Sequence, residues 1–218
     1  EPELRTASGE IEAAQSGHLP KIIPYGSLRG DLQVQTDWTD GQDSLEAMAD
    51  AARADGLEYI AVTDHTKALA MTGGLDERGL ARQAKAIEKL NRRCQVSGFR
   101  FQILKSAEIN ILKDGKLDIN DEALRKLDIV SVSVHSHFNL PIREQTERIV
   151  RAIENPHVDI LFHPTGRLIG RRPAYEVDME AVIRAAKATG TVLEIDAFPD
   201  RLDLRDEHIR KAVQAGVK

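Results

Sequence analysis

A single cysteine, Cys94, stands in the 218 residues, so no disulfide framework holds this chain, and its thiol usage suits a reducing compartment. Aromatic residues make up only 4% of the sequence, which leaves the core to aliphatic side chains. No apolar run is long enough to span a bilayer and no signal-peptide pattern opens the chain, so no membrane association is expected and a cytoplasmic location is. Positive charge is not in excess either: 35 acidic against 30 basic residues give a net charge of −5. A domain of this charge does not hold nucleic acid by bulk electrostatics, and a phosphate-bearing substrate would need local help from metals or an arginine cluster. What remains is an ordinary hydrophobic content of 41% on a length that suits one large α/β domain with a real core.

Residues Glu1 to Leu28 carry Pro2, Gly9, Gly17, Pro20, Pro24 and Gly26 with little periodicity, and read as a lead-in with a short helix near Ile11–Ala14. From residue 29 to 218 the patterning alternates strand and helix, the signature of βα units around a parallel sheet. The strands predicted are Asp31–Gln35, Glu58–Thr63, Arg100–Glu108, Asp128–Val134, Val158–His163 and Val192–Asp196. Between them, Asp43 or Ser44 caps a helix through Ala54, and Asp76 opens one through Arg93. Pro141 or Ile142 begins a third with Ile149, Ala152 and Ile153 on its core face; Asp178 opens a fourth that Gly190 closes, and Asp206 opens a fifth. Six strands with short connections predict a TIM-like barrel. The sequence given stops at Ala215-Gly216-Val217-Lys218, where another strand should begin, so the expectation is a barrel lacking its last βα element.

Five of these strands end on, or one residue beyond, a side chain that can bind metal or has the shape to. The first ends Gln33-Val34-Gln35, the second runs into Thr63-Asp64-His65, the third ends at Glu108, the fourth at His135 and the fifth at His163. Side chains at the carboxyl ends of successive parallel strands converge on one mouth of a barrel, which makes them one site. Singly, each has a plainer explanation: a polar turn for His65, a surface carboxylate for Glu108, an Asp-Gly turn for Asp40. Apolar Ile109 and Ile111 argue against an exposed Glu108, whose two oxygens can serve two cations. His137, close after His135, suits a rim or phosphate contact. Arg167, Arg171 and Arg172 form the densest basic cluster of the chain, and arginine grips phosphate bidentately, though surface salt bridges would also account for them. Asp196 either adds an oxygen ligand or caps a loop, while His18, His157 and His208 fall outside the strand ends and read as surface residues. Mixed nitrogen and oxygen ligands suit zinc, manganese or iron better than calcium. Clustered metals beside arginines suit phosphoester hydrolysis, in which one metal lowers the pKa of a water and others hold the phosphate oxygens.

The stretches Gly30-Asp31-Leu32-Gln33-Val34-Gln35-Thr36, Ala61-Val62-Thr63-Asp64-His65, Ser106-Ala107-Glu108, Ser133-Val134-His135-Ser136 and His163-Pro164-Thr165-Gly166-Arg167-Leu168-Ile169-Gly170-Arg171-Arg172 resemble a PHP domain (polymerase and histidinol phosphatase). The resemblance is most specific to the PHP domain of bacterial and archaeal family X DNA polymerases, and it covers nearly the whole chain. It implies a distorted (β/α)7 barrel, a cluster of up to three divalent metals, manganese or zinc, and a phosphoesterase, often a 3′–5′ exonuclease serving base-excision repair. It implies Asp40, His65, Glu108, His135 and His163 as metal ligands, with Glu108, His135 and Asp40 carrying the chemistry. The partners it implies are DNA 3′ ends and the N-terminal polymerase domains of a longer protein, with residues 1–28 as the linker.

Two features depart from the family pattern. Gln33-x-Gln35 stands where the family has His-x-His, and an amide oxygen is a poorer ligand for zinc or manganese than a neutral imidazole. The family's closing Asp-x-His follows a strand that the given sequence does not reach. Fewer metals and impaired hydrolysis are therefore expected. Asn110 stands where an aspartate is expected. Two alternatives follow: a metal-poor scaffold that supports the polymerase, and a small-molecule phosphatase of the histidinol-phosphatase type. The polymerase-like lead-in and the arginine-rich stretch argue against the second.

Overall fold

In the computed structural model, which describes residues 7, 9–96 and 101–218, strands and helices alternate as the hydrophobic patterning requires. The strands are β1 (Gly30–Val34), β2 (Tyr59–Val62), β3 (Gln102–Lys105), β4 (Glu108–Asn110), β5 (Ser131–Ser133), β6 (Ile160–Leu161) and β7 (Val192–Leu193). The helices are α1 (Glu10–Gln15), α2 (Leu45–Ala54), α3 (Glu77–Val96), α4 (Asp121–Leu124), α5 (Ile142–Ile153), α6 (Met179–Thr189) and α7 (Asp206–Ala215). Neighbouring strands are parallel throughout, in the orders β1-β2-β3 and β4-β5-β6-β7.

The helix boundaries follow their caps. Ser44 Oγ accepts from Ala47 N at 3.2 Å to start α2, and Asp178 Oδ1 accepts from Glu180 N and Ala181 N at 3.0 Å to start α6. Gly190, at φ 82°, closes α6 in a left-handed conformation that costs glycine nothing. The four-residue α4 was not expected from periodicity, which cannot register a helix shorter than two turns.

The third predicted strand, Arg100–Glu108, needs correction. Arg100 lies outside the described residues, and the chain breaks at Ser106-Ala107 into β3 and β4, so Glu108 begins a strand rather than ending one. Val62↔Lys105 is the last pair between β2 and β3; the ladder resumes at His65↔Glu108, three residues on along both strands. In the gap, Thr63 N donates to Val34 O at 2.8 Å and Lys105 O accepts from Asp128 N at 2.7 Å. Glu108 N then donates to Asp64 O at 3.2 Å. This seam joins the two sheets, and each sheet has its own apolar cluster. One gathers Val34, Ile60, Val62, Ile87 and Ile103; the other gathers Ile109, Val132, Ile149, Leu161 and Val182.

The buried face of α5 carries Arg148 as well as the predicted Ile149, Ala152 and Ile153. Arg148 is 2% exposed and has no carboxylate partner; it donates to Ile111 O at 2.5 Å, Leu112 O at 3.0 Å and Ser136 O at 2.9 Å. These carbonyls lie just beyond β4 and β5, so one guanidinium clamps the exits of both strands. Arg148→Met would leave Ile111 O and Ser136 O without their donor, while Leu112 O keeps Gly115 N, and is expected to destabilise the fold by about 3 kcal/mol. Urea unfolding checks this, and an unchanged midpoint would show the clamp to be dispensable.

Candidate metal centre

The segment after β1 is shaped by Asp64, a fully buried carboxylate. Asp64 accepts from Thr36 N at 2.8 Å, Thr36 Oγ1 at 2.7 Å, Thr39 Oγ1 at 2.6 Å and Gln83 Nε2 at 2.6 Å. With that many donors it is a tether, not an open ligand. Gly41 closes the loop: a Cβ there would lie 2.7 Å from the backbone of Gln35 and Thr36. The Asp40-Gly41 pair is therefore a turn, and the turn brings the half-exposed Asp40 to the mouth, with Oδ1 3.7 Å from His65 Nε2.

Glu108 is the centre of the arrangement. Its side chain is 2% exposed, Oε1 lies 3.0 Å from His135 Nε2 and 2.8 Å from His163 Nε2, and Oε2 lies 3.6 Å from His65 Nδ1. Burial opposes its ionisation, but hydrogen bonds from His135 and His163 and the fields of both rings outweigh this and hold its carboxyl well below the usual range. Burial likewise lowers the pKa of His65, against the field of Glu108, and so keeps this imidazole neutral, the form that binds metal. Donor atoms of His65, Glu108 and His135 all lie within 4.8 Å of one another.

Neighbouring side chains orient these groups. His135 Nδ1 lies 2.8 Å from Asn110 Oδ1, a contact that orients the ring so that Nε2 faces Glu108. Asn110 is fixed in turn by its Nδ2, which donates to Thr66 Oγ1 at 2.9 Å and Asp118 at 2.9 Å. His163 is 2% exposed and sits at φ 27°, a strained backbone for a non-glycine residue, and its N donates to Glu194 Oε2 at 2.6 Å. Asp64, Asp118, Arg148 and Glu194 were not singled out from the sequence. Only contacts made across the fold distinguish them from other polar residues.

Gln33, Gln35, Asp40, His65, Glu108, His135, His163, Arg171, Arg172 and Asp196 line one cleft of about 860 Å³. Gln35 reaches the centre, where its Nε2 donates to Glu108 Oε2 at 3.2 Å. Arg171 stands at the rim, 3.5 Å from Asp200, and Arg172 donates to Gly166 O at 2.8 Å while lying over the Phe138 ring. Arg167 and His137 do not line the cleft: Arg167 is bound to the carbonyls of Arg201 and Leu202, and His137 is exposed beside it. Asp196 pairs with Arg201 at 3.3 Å and with the backbone of Asp203. His18 is exposed as expected, whereas His208 is largely buried, with its side chain 18% exposed, because the last helix turns it inward.

The donor set fits a divalent cation. Neutral imidazoles and an ionised carboxylate are ligands for zinc, manganese or iron. His65 Nδ1 and His163 Nδ1 are buried without hydrogen-bond partners. Orphaned nitrogens of this kind are costly in a folded interior unless something else meets them.

A model of the PHP domain matches residues 31–195. The DNA polymerase/3′-5′ exonuclease PolX of Bacillus subtilis is 44% identical over 216 residues, which is 99% of this chain and 37% of that protein. A probable phosphatase of Acetivibrio thermocellus is 34% identical over 156 residues, 70% of this chain and 58% of its own. One of Caldanaerobacter subterraneus is 34% identical over 145 residues, 65% and 51% respectively. The chain thus spans between 37% and 58% of the length of these relatives.

Two measurements probe the neighbouring shell. Asn110→Ala removes the contact that orients the His135 ring and is expected to weaken Mn2+ binding about tenfold or more, read by calorimetry. Glu194 is pushed by burial from the ordinary 4.5 up to about 8, so it holds its proton more tightly folded than unfolded. Its stabilisation is complete below pH 4.5 and is lost as pH rises towards about 8. In EDTA, wild-type stability should therefore fall relative to Glu194→Gln across that window, by at most about 1.4 kcal/mol per pH unit. Parallel stability curves would refute the assignment.

Proposed function

Because the chain belongs to the PHP domain family, we propose that it is the metal-dependent phosphoesterase unit of a longer DNA polymerase, hydrolysing phosphodiesters at DNA 3′ ends in repair. The observation that carries this reading is a buried, ionised Glu108 ringed by His65, His135 and His163 at the floor of an open cleft. A divalent cation held there, manganese or zinc, would supply Lewis acidity towards water and phosphate. Glu108, His65, His135 and His163 would hold it, and Asp40 stands near enough to His65 to join them. Glu108 keeps its negative charge at neutral pH, and Asn110 keeps His135 Nε2 turned to the centre. Arg171 and Arg172 are assigned to the phosphate. Arg167, tied to loop carbonyls, is assigned to the shape of that loop, and the exposed His137 to an outer substrate contact.

Residues 29–218 are proposed as the domain and residues 1–28 as its link to polymerase domains; α1 buries none of its residues, which supports a segment outside the core. The seam at His65 and Glu108 supports reading both sheets as the wall of one distorted (β/α)7 barrel. A cytoplasmic location is supported by the single buried cysteine, and among the described residues no helix is long and apolar enough to cross a membrane.

A second reading is favoured by one contact. The Gln35 amide donates to Glu108 Oε2, which leaves that oxygen less free to hold a cation. On that reading the domain is metal-poor and serves as a scaffold for the polymerase. The relatives described as probable phosphatases leave a small-molecule phosphatase as a third.

One experiment separates the three. The Gln33→His, Gln35→His variant is expected to bind more manganese per chain than wild type, by elemental analysis, and to release nucleotides from a 3′ end when manganese is added. Absence of product from that variant sinks the exonuclease reading. Full occupancy of two or more sites in wild type counts against the scaffold. Faster turnover of histidinol phosphate than of DNA favours the phosphatase.

A further inference from the structure

The cleft has a rim unlike its floor. Among the described phenylalanines, Phe101 and Phe162 are buried and Phe138 stacks on Tyr175, whereas Phe198 is 66% exposed. Phe198 lines the same cleft as His65, Glu108 and His135, together with the 89% exposed Met71 and with Arg171, Arg172 and Arg201. Single exposed apolar side chains are ordinary on a protein surface; what marks Phe198 is its place on the lining of this cleft, beside Met71.

The exposure of Phe198 is built in rather than a consequence of a slack loop. Asp196 and Asp203 exchange backbone hydrogen bonds at 2.6 and 3.1 Å across the base of its loop. Within the loop, Phe198 N donates to Asp196 Oδ1 at 3.0 Å and Arg201 N donates to Phe198 O at 2.8 Å. Ile169 N donates to Asp200 O at 2.6 Å, which ties the loop to the arginine-bearing segment. A ring held out in this way loses little freedom when it is covered, as a recognition surface requires.

Three ligand features are written into one cleft: imidazole and carboxylate donors at the floor, guanidinium groups on the wall, and a flat apolar face at the rim. A phosphate ester bearing a planar, weakly polar body meets all three. We infer that Phe198 is a stacking platform for a nucleobase of a single-stranded 3′ end whose phosphate enters the cleft. This rests on the phosphodiesterase reading and adds to it the residue that meets the substrate's terminal base. Stacking of this kind tolerates any base, because every base has a π-face.

The test uses the 218-residue chain with Mn2+ and two fluorescein-labelled single-stranded oligonucleotides of equal length with phosphorothioate 3′ linkages, one intact and one abasic at its last two nucleotides. Anisotropy should show the intact strand bound about tenfold more tightly than the abasic one. Phe198→Ala should remove that difference while leaving affinity for the abasic strand unchanged, and Phe198→Trp should keep it. Equal weakening of both strands by Phe198→Ala, or no weakening of the intact one, overturns the inference and leaves the rim to another partner, such as a protein surface. If wild type binds neither strand, the phosphodiesterase reading itself falls, a result distinct from a silent Phe198.

Discussion

A single buried carboxylate sits where the two sheets are stitched together. Glu108 starts β4, and the pairing of its backbone with the residues after β2 is what joins the sheet of β1–β3 to that of β4–β7. Taking an ionised carboxylate out of water costs several kcal/mol unless partners meet it. Here they are His135, His163 and Gln35, each within 3.2 Å, and His65 close behind. Fold and site therefore share one requirement. These side chains must converge for the seam to be tolerated, and the seam must form for them to converge.

The groups around this centre divide the labour. Asp64 spends its lone pairs on Thr36, Thr39 and Gln83, and so sets the loop that carries Asp40. Asp203 does the same for the segment after β6, accepting from Thr165 N, Thr165 Oγ1 and Arg167 N. Arg148 closes the other side by collecting the carbonyls beyond β4 and β5. None of the three lines the cleft. Their effect is to leave the first ring of donors with few conformations, which is what precise ligand placement needs.

Much of this was legible in the sequence, for identifiable reasons. Apolar runs bounded by caps located the starts of the five longer helices to within a residue or two, because residues such as Ser44 and Asp178 each perform a local task that any neighbour can reveal; α3 runs three residues past its expected end. The convergence of the candidate side chains was legible because strand exits are where chemistry collects, and His65, His135 and His163 each follow an apolar run. The break at Ser106-Ala107 was not: both residues are compatible with a strand, and only the competition of two neighbouring strands for one segment divides it. Arg167 illustrates the opposite failure. In sequence it belongs with Arg171 and Arg172, but the loop turns its guanidinium to backbone carbonyls and away from the cleft. Composition reports that a positive cluster exists and says nothing of which members face outward.

Gln35 bears on how such a centre loses ligands without losing its fold. An imidazole that leaves the neighbourhood of Glu108 would normally strand a buried charge, a loss of several kcal/mol. A glutamine at the same place can turn its amide and donate to Oε2, and Thr63 lies near enough to share the contact. An amide at this position supplies a hydrogen-bond donor where an imidazole would offer a ligand nitrogen, and the carboxylate is satisfied by it. Stability at the seam and metal capacity at the floor are thus separable, although both pass through Glu108. Alanine at position 35 would lack this compensation. The amide at position 35 is therefore one of the partners that keep the buried carboxylate at the seam satisfied.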